Sequence, residues 1–75
     1  MRRRVIRRIV INPKVRHGKP VVRGTRVPVE VVVGSLAGGM SYEEICREYG
    51  ITEADIRACL EYAVTVLMQE EVILT

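Results

Sequence analysis

Two helix-start signals stand close together in the second half of the chain, and they restrict its fold more than any other feature. Ser41 is followed three residues later by Glu44, and Thr52 three residues later by Asp55. In such a pair the first side chain caps a helix N-terminus, and the acid reaches back to the cap's own amide. Between the two starts lies Gly50, the residue type that takes a left-handed conformation at a helix end. The pattern calls for two helices joined by a tight turn, with Ile51 plugging the angle between them.

Apolar periodicity agrees with the caps. Tyr42, Ile45 and Tyr49 recur at i, i+3 and i+7 over 42–49. Ile56, Cys59, Leu60, Ala63, Val64 and Leu67 sustain an apolar face on a longer helix over about 53–69, and Ala58, Tyr62 and Val66 add a second stripe. A helix apolar on nearly two faces asks for more cover than a small domain supplies. An earlier helix is expected over about 29–37, striped by Val29, Val32, Val33 and Leu36. The run Val31-Val32-Val33 by itself favours a strand. Gly38-Gly39 is a helix stop, however, and Pro28 suits a first turn, so helix is the reading adopted. Gly34 weakens that helix by about 1 kcal/mol relative to Ala and would let a neighbouring element approach closely.

The front of the chain reads as β structure. Val5 to Asn12 is dense in β-branched residues and closed by Asn12-Pro13, which predicts a strand. Val21-Val22 supplies a short second strand, with Gly18-Lys19 near the turn, so 9–27 reads as a strand or loose hairpin. The tail Val72-Ile73-Leu74 either pairs as an edge strand or lies on a partner. The fold class is therefore mainly α: a three-helix, helix-turn-helix core with an N-terminal β-strand or loose β-hairpin. It forms one domain over 9–75, preceded by a basic arm over 1–8.

A chain of 75 residues permits one domain. At this size folding buries only roughly 60–65% of the unfolded surface, so a staple is expected. Two cysteines do not make a secreted disulfide framework, which leaves self-association, most simply a homodimer. Met1-Arg2-Arg3-Arg4 has no apolar run after it, and no segment is long enough to cross a bilayer. A cytoplasmic protein without membrane contact is expected.

The net charge of +3 hides a sharp division. Residues 1–28 hold Arg2, Arg3, Arg4, Arg7, Arg8, Lys14, Arg16, Lys19, Arg23 and Arg26 with no acid. Residues 29–75 hold Arg47 and Arg57 against nine acids. Such a front half suits a polyanion or an acidic protein, or else neutralises the acidic half of a sister chain. If DNA is the partner, Arg2, Arg3, Arg4, Arg7 and Arg8 would neutralise phosphates, with Arg57 the cation on the second helix of the pair. Glu53 and Asp55 at that helix's start would repel phosphate, so the arm would have to supply most of the attraction.

The most distinctive stretch runs from Gly18 to Val29: Gly-Lys-Pro-Val-Val-Arg-Gly-Thr-Arg-Val-Pro-Val. It alternates rigid and permissive residues around cations, so it should hold one extended path. Thr25 can satisfy a backbone group locally, and Arg26 can engage a carboxylate with two prongs. Together with the later Met40-Ser41 and Glu44-Ile45 motif, this stretch closely resembles domain-of-unknown-function family 433, short prokaryotic proteins, over roughly residues 9–66. The resemblance implies a homeodomain-like or winged-helix-like three-helix domain. It also implies the antitoxin half of a toxin–antitoxin pair, with a PIN-like ribonuclease toxin as partner. Lys19, Arg23, Gly24, Thr25 and Arg26 are then a partner-binding or a scaffold motif, with Arg23 or Arg26 suited to a toxin's carboxylate cluster. Arg26 as scaffold would anchor on Glu30 or Glu61.

Convergent reactive groups are scarce. His17 has no nucleophile paired to it by any signature and reads as an exposed turn residue. Cys46 and Cys59 with His17 lack a metal spacing, and Cys59, on an apolar helix face, reads as a buried thiol. Glu43, Glu44 and Glu48 read as a solvated helix surface, and no phosphate-loop or dinucleotide fingerprint occurs. No catalytic residue, metal ligand, cofactor or small-molecule substrate is expected. The reading is a non-enzymatic antitoxin-like module; its alternatives are a stand-alone DNA-binding repressor and an oligomerisation adaptor.

Overall fold

The computed structural model describes residues 3–69 and 71–74, and both capping boxes form in it. Ahead of α2 (Tyr42–Tyr49), the Glu44 amide donates to Ser41 Oγ at 3.1 Å and the Ser41 amide donates to Glu44 Oε1 at 2.8 Å. Ahead of α3 (Glu53–Met68), the Asp55 amide donates to Thr52 Oγ1 at 3.1 Å and the Thr52 amide to Asp55 Oδ2 at 2.9 Å. Gly50 takes φ 68° between them, and Ile51 is buried. α1 spans Val29–Ala37 and carries the buried Val29 and Val32 on the stripe that periodicity requires.

The β elements depart from the single strand expected over Val5 to Asn12. Two strands form instead, β1 (Arg3–Ile6) and β2 (Ile9–Ile11), separated by a turn at Arg7 and Arg8. The reason lies in strand geometry. Residues 6 and 9 of an unbroken strand would face opposite sides. Both side chains are core, Ile6 being 2% exposed and Ile9 0%, and the turn lets both point inward. β2 pairs antiparallel with β3 (Pro20–Val22), Ile9 opposite Val22 and Ile11 opposite Pro20, which is the expected hairpin. β1 pairs in parallel with β4 (Glu71–Leu74), Val5 opposite Ile73, so the tail does become a strand and the arm is part of the fold from Arg3 onward.

Ile6, Ile9, Val22, Val32, Ile45, Ile56 and Cys59 meet in one core between the three helices and the strands. Tyr42, Tyr49 and Leu36 pack against its edge, and Ser35 Oγ lies 3.1 Å from the Tyr49 hydroxyl, tying α1 to α2.

Two expectations about the helices are corrected. Gly34 does not admit a neighbour: it is exposed, and a methyl group there would meet open space. The apolar stripe of α3 also fails at its far end. Val64 is 41% exposed and Leu67 83%, whereas Thr65 is fully buried. Beyond Cys59 the buried line runs from Ala58 to Thr65, turning toward β1 and β4, which also pack on α3. Thr65 tolerates burial because its hydroxyl donates to the Tyr62 carbonyl at 2.6 Å.

Candidate functional site

The Lys19–Arg26 motif is a buckle between the hairpin and α1. Gly24 takes φ 77°, where a side chain would be strained. Thr25 Oγ1 donates to the Val22 carbonyl at 2.8 Å and accepts from the Val27 amide at 3.0 Å, and the Val22 amide donates to the Val27 carbonyl at 2.9 Å. The local satisfaction expected of Thr25 is thus present. Arg23 fastens the turn to the arm: its amide donates to the Arg8 carbonyl and its Nε to the Arg7 carbonyl, both at 2.7 Å. Arg26 is exposed and makes no side-chain hydrogen bond or ion pair among the described residues. Glu30 is instead taken by Lys19, Nζ to Oε1 2.8 Å, and that hydrogen bond and charge hold the Glu30 carboxyl below its ordinary pKa.

Beneath this buckle the loop from Asn12 to Lys19 is tightly bound to itself. Asn12 Oδ1 accepts from the Lys14 amide at 2.9 Å, the Val15 amide donates to the Asn12 carbonyl at 2.9 Å, and the Lys19 amide donates to the Arg16 carbonyl at 3.1 Å. Arg16, His17 and Gly18 are all left-handed, with φ of 52°, 56° and 81°. For the two non-glycine residues this stores roughly 1–2 kcal/mol apiece. The loop bounds a hollow of about 410 Å³ lined by Pro13, Lys14, Arg16, His17, Lys19 and Arg26. Lys14, Arg16 and His17 were not legible in the sequence as one group with Arg26. Their meeting depends on the left-handed turn, and only the adjacent His17-Gly18 pair hinted at one.

The arm and α3 form a second basic surface. Arg7, Arg8 and Arg57 meet in a groove of about 340 Å³ with Ala54, Ala58 and Glu61. Arg8 Nη1 lies 3.1 Å from Asp55 Oδ1, and Arg57 Nη2 lies 3.0 Å from Glu53 Oε1. Partial burial opposes ionisation of Asp55, but the Thr52 hydrogen bonds and Arg8 outweigh it and hold the carboxyl below its ordinary pKa. Arg2 lies outside the described residues, and Arg3 and Arg4 are described only as strand backbone.

A third feature is apolar. Val29, Val33, Tyr62, Ala63, Val66 and Leu67, with Glu30 at the same wall, line a groove of about 470 Å³ between α1 and α3, and Val64 and Met68 on the last turns of α3 are exposed. Cys59 is buried beneath, its thiol pushed up to about 12 by burial and by Asp55, so it is un-ionised and unreactive at neutral pH. Among the described residues no three His, Cys, Asp or Glu side chains cluster as a metal would need, and no helix is long and apolar enough to cross a membrane.

Three helices on a β-hairpin, buckled by a Gly-Thr-Arg turn, define a family as well as a fold. Residues 9–63 match the family described as Protein of unknown function (DUF433), and the chain belongs to it. A crystal structure of a member of that family from Anabaena variabilis superposes with a TM-score of 0.75 at 32% identity, covering 83% of this chain and 62% of that one. The crystal structure of Rv2018 from Mycobacterium tuberculosis superposes with a TM-score of 0.64 at 33% identity, over 69% of this chain and 24% of that one. By sequence the chain is 32% identical over 53 residues to Putative antitoxin VapB45 of Mycobacterium tuberculosis. That match takes in 71% of this chain and 22% of the relative, so the chain spans about a fifth of the longer protein.

Proposed function

We propose that this chain acts by binding, as a cytoplasmic antitoxin-like module that neutralises a PIN-like ribonuclease toxin and contacts operator DNA as a homodimer. The observation that carries the reading is the likeness to Putative antitoxin VapB45 across 71% of the chain. The apolar groove between α1 and α3, which Leu67 lines at 83% exposure, supports a protein partner there, because an apolar surface of this kind is rarely left bare. A second copy is the occupant assigned to it. Of the two arginines suited to a toxin's carboxylates, Arg23 sits on an exposed turn that can enter a nuclease cleft, whereas Arg26 lines a hollow. DNA contact is assigned to the arm arginines and Arg57.

Co-expression with a PIN-like nuclease encoded beside this chain tests the reading. Growth arrest by the nuclease should be relieved, and Arg23→Ala should abolish relief while the protein stays folded. Relief that survives both Arg23→Ala and Arg26→Ala would remove the arginine mechanism. The exposed strip on α3 also favours a plain oligomerisation adaptor. That reading is preferred if the chain sediments as a dimer and leaves the nuclease fully active; a monomer at micromolar concentration defeats both.

A further inference from the structure

Three of the described cations that have no acid partner gather in one place, and that place is concave. Lys14, Arg16 and Arg26 make no side-chain hydrogen bond or ion pair among the described residues, and all three line the hollow beneath the Asn12–Lys19 loop. Lys19 joins them, balanced by Glu30, whose carboxylate also feels Arg16. Four cations therefore line the hollow, and no acid is part of its wall. We propose that this hollow is a phosphate-ester site, in which Lys14, Arg16, Lys19 and Arg26 surround one phosphate of a nucleotide or a nucleic-acid strand.

Shape selects phosphate over a protein carboxylate cluster. A phosphate protrudes from the sugar that carries it and can enter a hollow. The carboxylates of a nuclease lie in a cleft of their own, and two concave surfaces do not mate. Charge agrees, since guanidinium forks match the paired oxygens of a phosphate and lysines add point charge. Size agrees as well. At about 410 Å³ the hollow exceeds a bare phosphate and leaves room for the attached sugar, with Pro13 and the His17 ring as walls against which it can rest. The left-handed run Arg16–His17–Gly18 and the Asn12 hydrogen bonds fix the loop before any ligand arrives, which lowers the entropy lost on binding. Residues far apart in sequence, Arg16 and Arg26, are brought to one wall by pairing of β2 with β3. Neither the arm nor α3 lines the hollow, so the site is separate from the DNA surface assigned above and shares only Arg26 with the toxin reading.

The test follows backbone amide resonances of the folded chain while inorganic phosphate, adenosine monophosphate and a short single-stranded oligodeoxynucleotide are added in turn. All three should move the amides of residues 14–19 and 26. Arg16→Gln and Arg26→Gln should each weaken binding about tenfold. Arg47→Gln, an exposed residue of α2 that does not line the hollow, should leave it unchanged. Tighter binding of the oligonucleotide than of the monophosphate identifies a strand as the source; the reverse identifies a free nucleotide, and both uphold the site. The proposal is overturned if phosphate and its esters leave those amides unmoved. It is overturned equally if the Gln variants bind as the parent does, or if a glutamate-rich peptide binds the loop more tightly than any phosphate ester. Circular dichroism of each variant separates lost binding from lost fold.

Discussion

Arg8 in the arm and Arg16 and Arg26 in the loops belong to one acid-free stretch of sequence, yet they end in opposite situations. Arg8 is drawn onto α3. Arg8 pairs with Asp55, Arg57 beside it pairs with Glu53, and the Arg7 and Arg8 carbonyls hold Arg23. Arg26 meets no acid among the described residues, and Arg16 feels Glu30 without an ion pair, so both stay available. A count of cations along a chain therefore measures the charge supplied, whereas the fold decides how much of it is spent internally. The arm is a structural element with a charged surface; the loop hollow is a charged surface with little structural duty.

That contrast is broken most forcefully at Ile6. Truncating this core side chain, Ile6→Ala, should destabilise the fold by about 2–5 kcal/mol in denaturant titration. A loss below about 0.5 kcal/mol would mean the arm is an appendage after all. For the same reason a DNA-binding test of the arm is better made by changing its arginines to glutamine than by deleting residues 1–8, which removes Ile6.

Asp55→Ala comes next, with an expected loss of about 1–2 kcal/mol, since one change removes the reciprocal cap and the partner of Arg8. Its pH dependence has a definite sign. The folded-state pKa of Asp55 lies below the unfolded one, so its contribution is complete above the unfolded value, about 3.9. The contribution fades as pH falls through the lower, folded value. Acid titration of the parent and of Asp55→Asn should accordingly converge at low pH; curves that stay parallel would show that the ionised carboxylate contributes nothing.

Gly24→Ala should cost about 1 kcal/mol through its φ of 77° alone, because no atom lies within 4 Å of the added methyl. Arg16→Gln and Arg26→Gln sit at the bottom of the scale, within about 0.5 kcal/mol of the parent. A larger loss at Arg26 would show that the loop shares the arm's structural role.

Much of the helical half was readable because its signals are local. Ser41, Glu44, Thr52 and Asp55 satisfy one another within a single turn, and Gly50 needs no distant partner. Burial along α3 was read well near Ile56 and Cys59 and badly near Val64 and Leu67. The turn of the buried face toward Thr65 depends on β1 and β4, which arrive from the two far ends of the described chain. The break at Arg7 and Arg8 follows from the parity of two isoleucines, but only once both are known to be core. The pairing of Arg8 with Asp55 and the left-handed Arg16–His17 turn are likewise products of tertiary closure, for which no short motif exists. The Gly-Thr-Arg turn lies between these cases: its family likeness was plain, while the exposure of Arg26 was not.

The parallel pairing of β1 with β4 has a consequence in time as well as space. During synthesis Arg3–Ile6 is made before all three helices, and its partner Glu71–Leu74 only after them. Until that partner emerges, β1 has no neighbour for its backbone, and the last turns of α3 lack the strand beside them. Helices can form during this wait because their hydrogen bonds are local, but the clasp closes only after all three of them have been made. Through that interval β1 is an unpaired strand whose Ile6 has no core to enter, an opening for a chaperone or a protease.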